Sequence, residues 1–344
     1  MKTVLSFAFF LAISPLFSQV KPAFFPEEIT QEGVEVRCYC KPGIRNKSRS
    51  KGLDISYTWL GNGVFRPEEE ANTVMPPLTR YKNWEQVEVD LKAPVVNSTG
   101  FKLILGYKYR TESFEINRLG ADFSETFREL GANNLKNNSL TAILTKPLNE
   151  TKYLALRLRY TANGNYEGIM SFKSKYSIYK AMAFYGVKPN EDFEWGFGLG
   201  LNQSFRRTTI LPYVLYNRNF SPRWGIESAL PGYVFARWNL RPGSIFLFGV
   251  EYNSESYRLD VILPNDLQRN YAMNHSELIG LCRLEQQFAP WIWGNLKMGY
   301  QMNFSTDFME RSAATIPFQV EPSDGIFFQV GIFISPPDEL LNRN

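Results

Sequence analysis

Charged residues in this sequence recur at every second position of short segments whose alternate positions are apolar. Glu88, Asp90 and Lys92 form one such set, Lys102, Lys108 and Arg110 another, Arg157 and Arg159 a third, and Arg283 with Glu285 a fourth; Glu194, Glu227, Arg237, Glu251 and Lys297 stand singly in the same pattern. Carboxylates at i and i+2, such as Glu88 and Asp90, could divide acid and base work between them. Arginines so spaced, such as Arg157 with Arg159, could hold an anion, as could Lys108 with Arg110. His275-Ser276 is the one place where a histidine mechanism could start. Adjacent residues on a strand face opposite ways, however, and adjacency supplies neither a carboxylate nor an oxyanion donor, so the plainer reading is a loop histidine. Cys38-x-Cys40 puts two sulfurs on one face, but with a single histidine and only Cys282 besides, no second half-site completes a metal set. No catalytic or metal residue and no cofactor is therefore assigned. A disulfide from Cys38 or Cys40 to Cys282 stays open.

The elements that must carry these charges are strands. In Phe193–Leu201 the residues Phe193, Trp195, Phe197, Leu199 and Leu201 share one face, while Glu194, Gly196, Gly198 and Gly200 share the other. The same alternation runs through Leu53–Trp59, through Gln86–Ala93 with Phe101–Arg110, and through Leu140–Thr145 with Leu154–Tyr160. It returns in Trp224–Leu230, Tyr233–Asn239, Phe246–Tyr252, Leu278–Gln286, Ile292–Phe304 and Ile326–Ile334. Val34–Cys40 could be an earlier strand. Thr209–Asn219 contains Pro212, which cannot donate to a ladder, so a bulge or local irregularity is expected there. Short turns alternate with longer polar stretches, the latter expected as loops near 61–81, 111–135, 254–274 and 305–324, with Tyr257–Ile262 as a small hairpin arm inside the third.

The chain opens with Lys2, an apolar run Val4–Phe17 and a small residue at Ser18, the pattern of a secretory signal over residues 1–18. No later run approaches the length of a membrane helix. Residues 19–344 show no linker or composition break, which predicts one domain. An aromatic content of 15% suits rings at a lipid boundary, and a dispersed net charge of +4 does not suggest nucleic acid. Taken together, the pattern predicts an all-β fold. It is a transmembrane antiparallel up-and-down barrel of about 14 strands (12 to 16), apolar faces to lipid and charged faces to the lumen.

Three elements carry a resemblance: Trp195-Gly196-Phe197-Gly198-Leu199-Gly200, then Leu211-Pro212-Tyr213, then Arg223-Trp224-Gly225-Ile226 with Leu230-Pro231. In that order and spacing the chain resembles an uncharacterised outer-membrane β-barrel family, a domain of unknown function typical of Bacteroidota. The resemblance implies the barrel and the outer membrane of a Gram-negative bacterium, and no activity. One departure is that the last strand is followed by residues 335–344, with Pro336-Pro337, where such barrels commonly end on an aromatic residue. The expected partners are outer-membrane lipid, the barrel-assembly machinery during biogenesis and a small hydrophilic solute. The reading is a pore or transporter for such solutes, the alternatives being a non-conducting structural or surface-interaction barrel and, third, an outer-membrane hydrolase using His275.

Overall fold

The computed structural model describes residues 40, 42–67, 78–98, 100–119, 124–262, 268–310 and 318–336. The signal segment and the expected strand at 34–40 lie outside these, except Cys40, which is in no strand. Period-two alternation becomes strand throughout: β1 (Leu53–Leu60), β2 (Gly63–Pro67), β3 (Thr79–Asn97), β4 (Lys102–Arg118), β5 (Leu135–Pro147), β6 (Lys152–Gly164), β7 (Ser177–Asn190) and β8 (Phe193–Gln203). These are followed by β9 (Thr208–Asn219), β10 (Trp224–Leu230), β11 (Tyr233–Arg241), β12 (Ser244–Ile262), β13 (Gln268–Gln287), β14 (Ile292–Glu310), β15 (Phe318–Pro322) and β16 (Gly325–Ile334). A helix, α1 (Ser124–Ala132), lies between β4 and β5.

From β3 to β14 each strand pairs antiparallel with the next; β14 pairs with β16, β16 with β1 and β1 with β3. β1 and β2 lie end to end along β3, and β15 and β16 end to end along β14. The result is a closed barrel of 14 wall positions in which every ladder finds a neighbour. Alternate residues face outward and stay bare: Leu154, Leu156 and Leu158 on β6, Trp195 to Leu201 on β8, and Ile326 to Ile332 on β16 are all exposed. An apolar band all round a closed wall is stable only against lipid. Trp224 and Trp238 stack outside the wall with centroids 5.0 Å apart, and Phe220, Phe288 and Trp291 are exposed in adjoining short turns, as an interfacial girdle requires.

The two ends of the barrel differ. At the turn end, connections such as 98–101, 148–151, 191–192 and 242–243 are short, and both β1 and β16 have their outer termini there. At the loop end the strands run well past the alternation. In the stretches expected as loops near 61–81, 111–135, 254–274 and 305–324, most of the described residues are strand or helix: β12 continues to Ile262 and β13 begins at Gln268. The alternation fades there because both faces find protein; Ser256, Tyr257, Arg258 and Leu259 are consecutively buried. The arm made by β12 and β13 leans across the barrel mouth. Arg258 bridges Gly164 at the end of β6, Asn163 donates to the Ser256 carbonyl at 2.9 Å, and the Phe205 amide donates to Ser256 Oγ at 3.1 Å. Beneath the arm, α1 presses Phe127 onto Phe65 (5.1 Å between centroids) and Phe308 (6.2 Å) in an aromatic cap that also holds Trp84 and Phe114.

The expected bulge at Pro212 is absent. β8 and β9 keep unbroken register through Leu199–Pro212, and β10 is so short that its pairing with β9 begins only at Val214. Pro212 therefore sits on a locally free strand edge, where its missing N–H costs no ladder bond. The glycine row of β8 faces inward because neighbouring rings lie over it. A Cβ on Gly198 would fall 2.4 Å from the Ala183 carbonyl, and one on Gly200 2.4 Å from the Tyr213 ring.

Candidate functional site

The charges singled out in the sequence divide into three groups, with Lys102 at the start of β4 outside them. The first group is at the turn end, where residues 42–51 cross the inside of the barrel as a strap. Its backbone and side chains are held by carboxylates from the wall: the Gly43 amide donates to Glu194 (2.8 Å), the Ser48 amide and hydroxyl donate to Glu227 (2.8 and 2.5 Å), and the Arg49 amide donates to Glu285 (3.4 Å). Arg49 lies over Trp293 (4.8 Å) and Lys51 over Phe333 (4.5 Å), while Lys51 pairs with Asp54 at 2.7 Å. Gly43, at φ 99°, turns the chain beside Glu194 in a conformation that favours glycine. Glu194 also accepts from Tyr153 and Asn217, each at 2.7 Å, and Glu227 holds the fully buried Arg237 at 3.1 Å. Outside the membrane span, Arg45 binds Asp192 through Nε at 2.6 Å; these hydrogen bonds, together with one from Asn219, hold that carboxyl below the usual carboxylate range.

The second group lies on the wall of β3, β4, β12, β13 and β14, where charges pair. Glu88 meets Lys108 at 2.6 Å, Asp90 meets Lys92 at 2.6 Å, and Glu251 meets Lys297 at 3.6 Å. Arg110 reaches Glu255 at 3.1 Å and Glu112 at 3.3 Å, and donates to the Tyr257 hydroxyl, which in turn donates to Glu112 at 2.5 Å. Arg283 and Glu285 lie 3.4 Å apart. Ions in a narrow, poorly hydrated interior need partners, and here the wall supplies them. Lys108 and Arg110 are thus committed to wall carboxylates, and the acid–base pair Glu88 and Asp90 is two separate ion pairs. A cavity of about 50 Å³ remains under the aromatic cap, lined among others by Trp84, Arg110, Glu255, His275 and Glu277.

His275 is not a loop residue. It is on β13, buried, facing the lumen edge-on to Trp84. Its Nδ1 is bonded to Thr306 Oγ1 (2.8 Å) and its Nε2 to Glu277 (3.2 Å), so both ring nitrogens are engaged by groups of the wall. Thr306 is fully buried. Cys40 is buried at the turn end and Cys282 is exposed on the outer face, so both are free and the disulfide between them is excluded; Cys38 lies outside the described residues. Burial pushes the Cys40 thiol pKa up.

The third group is on β6 and β7. Arg157 and Arg159 face inward between the lipid-facing leucines, and Lys180 stands directly opposite Arg159 across the strand pair. Among the described residues no carboxylate pairs with any of the three. Arg159 Nε donates only to Thr141 Oγ1 (3.3 Å), and Arg157 Nε is buried without an acceptor. Lys180 escaped the sequence reading because β7 alternates poorly, and its meeting with Arg159 is set by inter-strand register, which a single sequence does not display.

Solved structures similar to the chain include a FadL homologue from Pseudomonas aeruginosa, at 9% identity and TM-score 0.42 over 82% of this chain and 89% of that one. An outer membrane channel from Pseudomonas putida F1 is similar at 12% identity and TM-score 0.36, over 86% and 99%. The outer membrane protease OmpT from Escherichia coli is similar at 9% identity and TM-score 0.28, over 84% and 99%. No curated protein matches. Residues 78–335, most of the barrel, match the family described as Domain of unknown function (DUF6268), and the chain belongs to that family.

Proposed function

We propose that this protein is a gated channel for small hydrophilic solutes in the outer membrane of a Gram-negative bacterium, inserted there by the barrel-assembly machinery. The turn end then faces the periplasm and the loop end the outside. The observation that carries this reading is the way the barrel is closed. Its lumen is polar and charged, and the segment that stops it, the 42–51 strap, is an addition to the wall rather than part of it. A barrel meant only as structure needs no separable stopper. The strap is held by hydrogen bonds and ion pairs whose groups water can satisfy in turn, so its release costs little apolar burial.

A second reading, a non-conducting structural barrel, is favoured by the pairing of charges on the β3, β4 and β12–β14 wall. Planar-bilayer recording separates the two. The strap variant Arg45→Ala, Ser48→Pro, Arg49→Ala loses the Asp192, Glu227 and Trp293 holds. A channel predicts discrete current steps from this variant, while a structural barrel predicts none from protein that still shows the heat-dependent gel migration of a folded barrel.

A further inference from the structure

Five inward residues form one continuous rung across five strands: Thr141 on β5 pairs with Arg159 on β6, Arg159 with Lys180 on β7, Lys180 with Asn202 on β8, and Asn202 with Thr209 on β9. Their neighbours along the chain, Tyr160, Tyr179, Leu201 and Ile210, belong to the opposite, outward faces of the same strands. The rung is made of two cations, two hydroxyls and one amide, and it contains no anionic group. Two residues from Arg159 on the same face, Arg157 adds a third cation, whose cross-strand neighbours Ile143 and Met182 offer it no side-chain oxygen.

Placing Arg159 directly opposite Lys180 is unfavourable, because like charges at paired strand positions repel and here share a lumen of low polarisability. On the β3, β4 and β12–β14 wall such charges are relieved by carboxylates, as at Lys108, Arg110 and Lys297. Here Glu255 attracts Lys180 and Arg159 but forms an ion pair with neither, being bonded to Arg110 at 3.1 Å. The repulsion is thus only partly relieved in the protein. An incoming anion would relieve it.

The donors also describe the anion. Guanidinium groups present paired N–H bonds in a plane, which match two oxygens of one group, whereas a halide can use only one donor direction at a time. Thr141, Asn202 and Thr209 add neutral hydroxyl and amide groups along the same row. Asn202 Nδ2 reaches the Tyr213 hydroxyl at 3.2 Å, so the row continues onto a phenol.

We propose that Arg157, Arg159 and Lys180, with Thr141, Asn202 and Thr209 beside them, form a luminal binding site for the oxyanion group of a small hydrophilic solute, a carboxylate or a phosphate. This deepens the channel reading and rests on it for the route by which the solute arrives. It also replaces the wider set of basic residues with a narrower one, since Lys108 and Arg110 are neutralised within the wall.

The test is thermal unfolding of the detergent-solubilised full chain in inorganic phosphate, in acetate and in chloride at matched ionic strength. The variants are Arg159→Gln with Lys180→Gln, Lys180→Gln alone in case the pair fails to fold, and Lys297→Gln as a control on the paired wall. The site predicts that phosphate, acetate or both raise the midpoint of the native protein by about 2 °C or more over chloride. That shift should vanish in the double variant, shrink in the single one, and persist in Lys297→Gln. A larger response to one of the two anions assigns the solute class. No shift over chloride, or an equal shift in all variants, overturns the site. The result is independent of conduction: a shift without current from the strap variant leaves the site standing and removes the channel, and current without a shift does the reverse.

Discussion

The wall of β3, β4 and β12–β14 and the wall of β6 and β7 face the same lumen and treat charge in opposite ways. On the first, Lys108, Arg110, Lys92, Arg283 and Lys297 each have a carboxylate within ion-pair reach, as in Glu88–Lys108 and Arg110–Glu255. On the second, Arg157, Arg159 and Lys180 stand together with only the Thr141 hydroxyl as a bonded acceptor. The lesson is that charge facing a lumen is not in itself evidence of a conducting path. Paired charge fills and stiffens, and only the unpaired remainder is available to a solute.

The comparison breaks most sharply where a paired ion is stranded. Glu227→Ala removes the partner of the fully buried Arg237 and two strap bonds together, and is expected to cost about 3–5 kcal/mol in urea unfolding. Arg110→Met leaves Glu255 and Glu112 without their guanidinium and should cost about 3 kcal/mol by the same measurement. On the other wall Lys180→Gln should cost nothing and stabilise by up to about 0.5 kcal/mol, because it removes a repulsion. If Lys180→Gln destabilised the barrel as much as Arg110→Met, the two walls would not differ in kind. A packing contrast is Gly198→Ala, whose methyl group meets the Ala183 carbonyl and should cost about 1–3 kcal/mol.

The smallest expected effect is a pH response of the strap. Asp192 is held below the ordinary carboxylate range by Arg45, so its hold is complete above about pH 4, the unfolded value, and is lost as pH falls through the lower folded value. A spin label at Lys47→Cys should therefore gain mobility only in acid below about pH 4. Mobility that rises toward alkaline pH instead would contradict the sign.

Much of the wall was legible in the sequence because lipid exposure imposes strict alternation: Trp195, Phe197 and Leu199 could face only one way, and inward parity followed for Arg157, Glu194 and Glu251. The pattern failed where that constraint ends. Beyond the lipid, Ser256 to Leu259 are buried on both faces; the sequence offered Tyr257–Ile262 as a hairpin arm inside a loop, whereas the β12–β13 ladder runs without a break from the membrane wall to Ile262. Pro212 read as a bulge because the height of the neighbouring strand β10 could not be seen from β9 itself. The strap read as a basic loop, since its carboxylate partners Glu194, Glu227 and Glu285 are 151 to 236 residues away along the chain. The candidate site was half visible. Arg157 and Arg159 declared themselves by spacing, whereas Lys180 needed register, and the neutralisation of Lys108 and Arg110 needed the third dimension.

The most direct measurement of the central claim is single-channel recording of the native chain beside the Arg45→Ala, Ser48→Pro, Arg49→Ala strap variant, both verified as folded by heat-dependent migration. The account predicts a silent or rarely open native protein and discrete, frequent steps from the variant. Equal conductance from both, or silence from both, would contradict a lumen stoppered by residues 42–51.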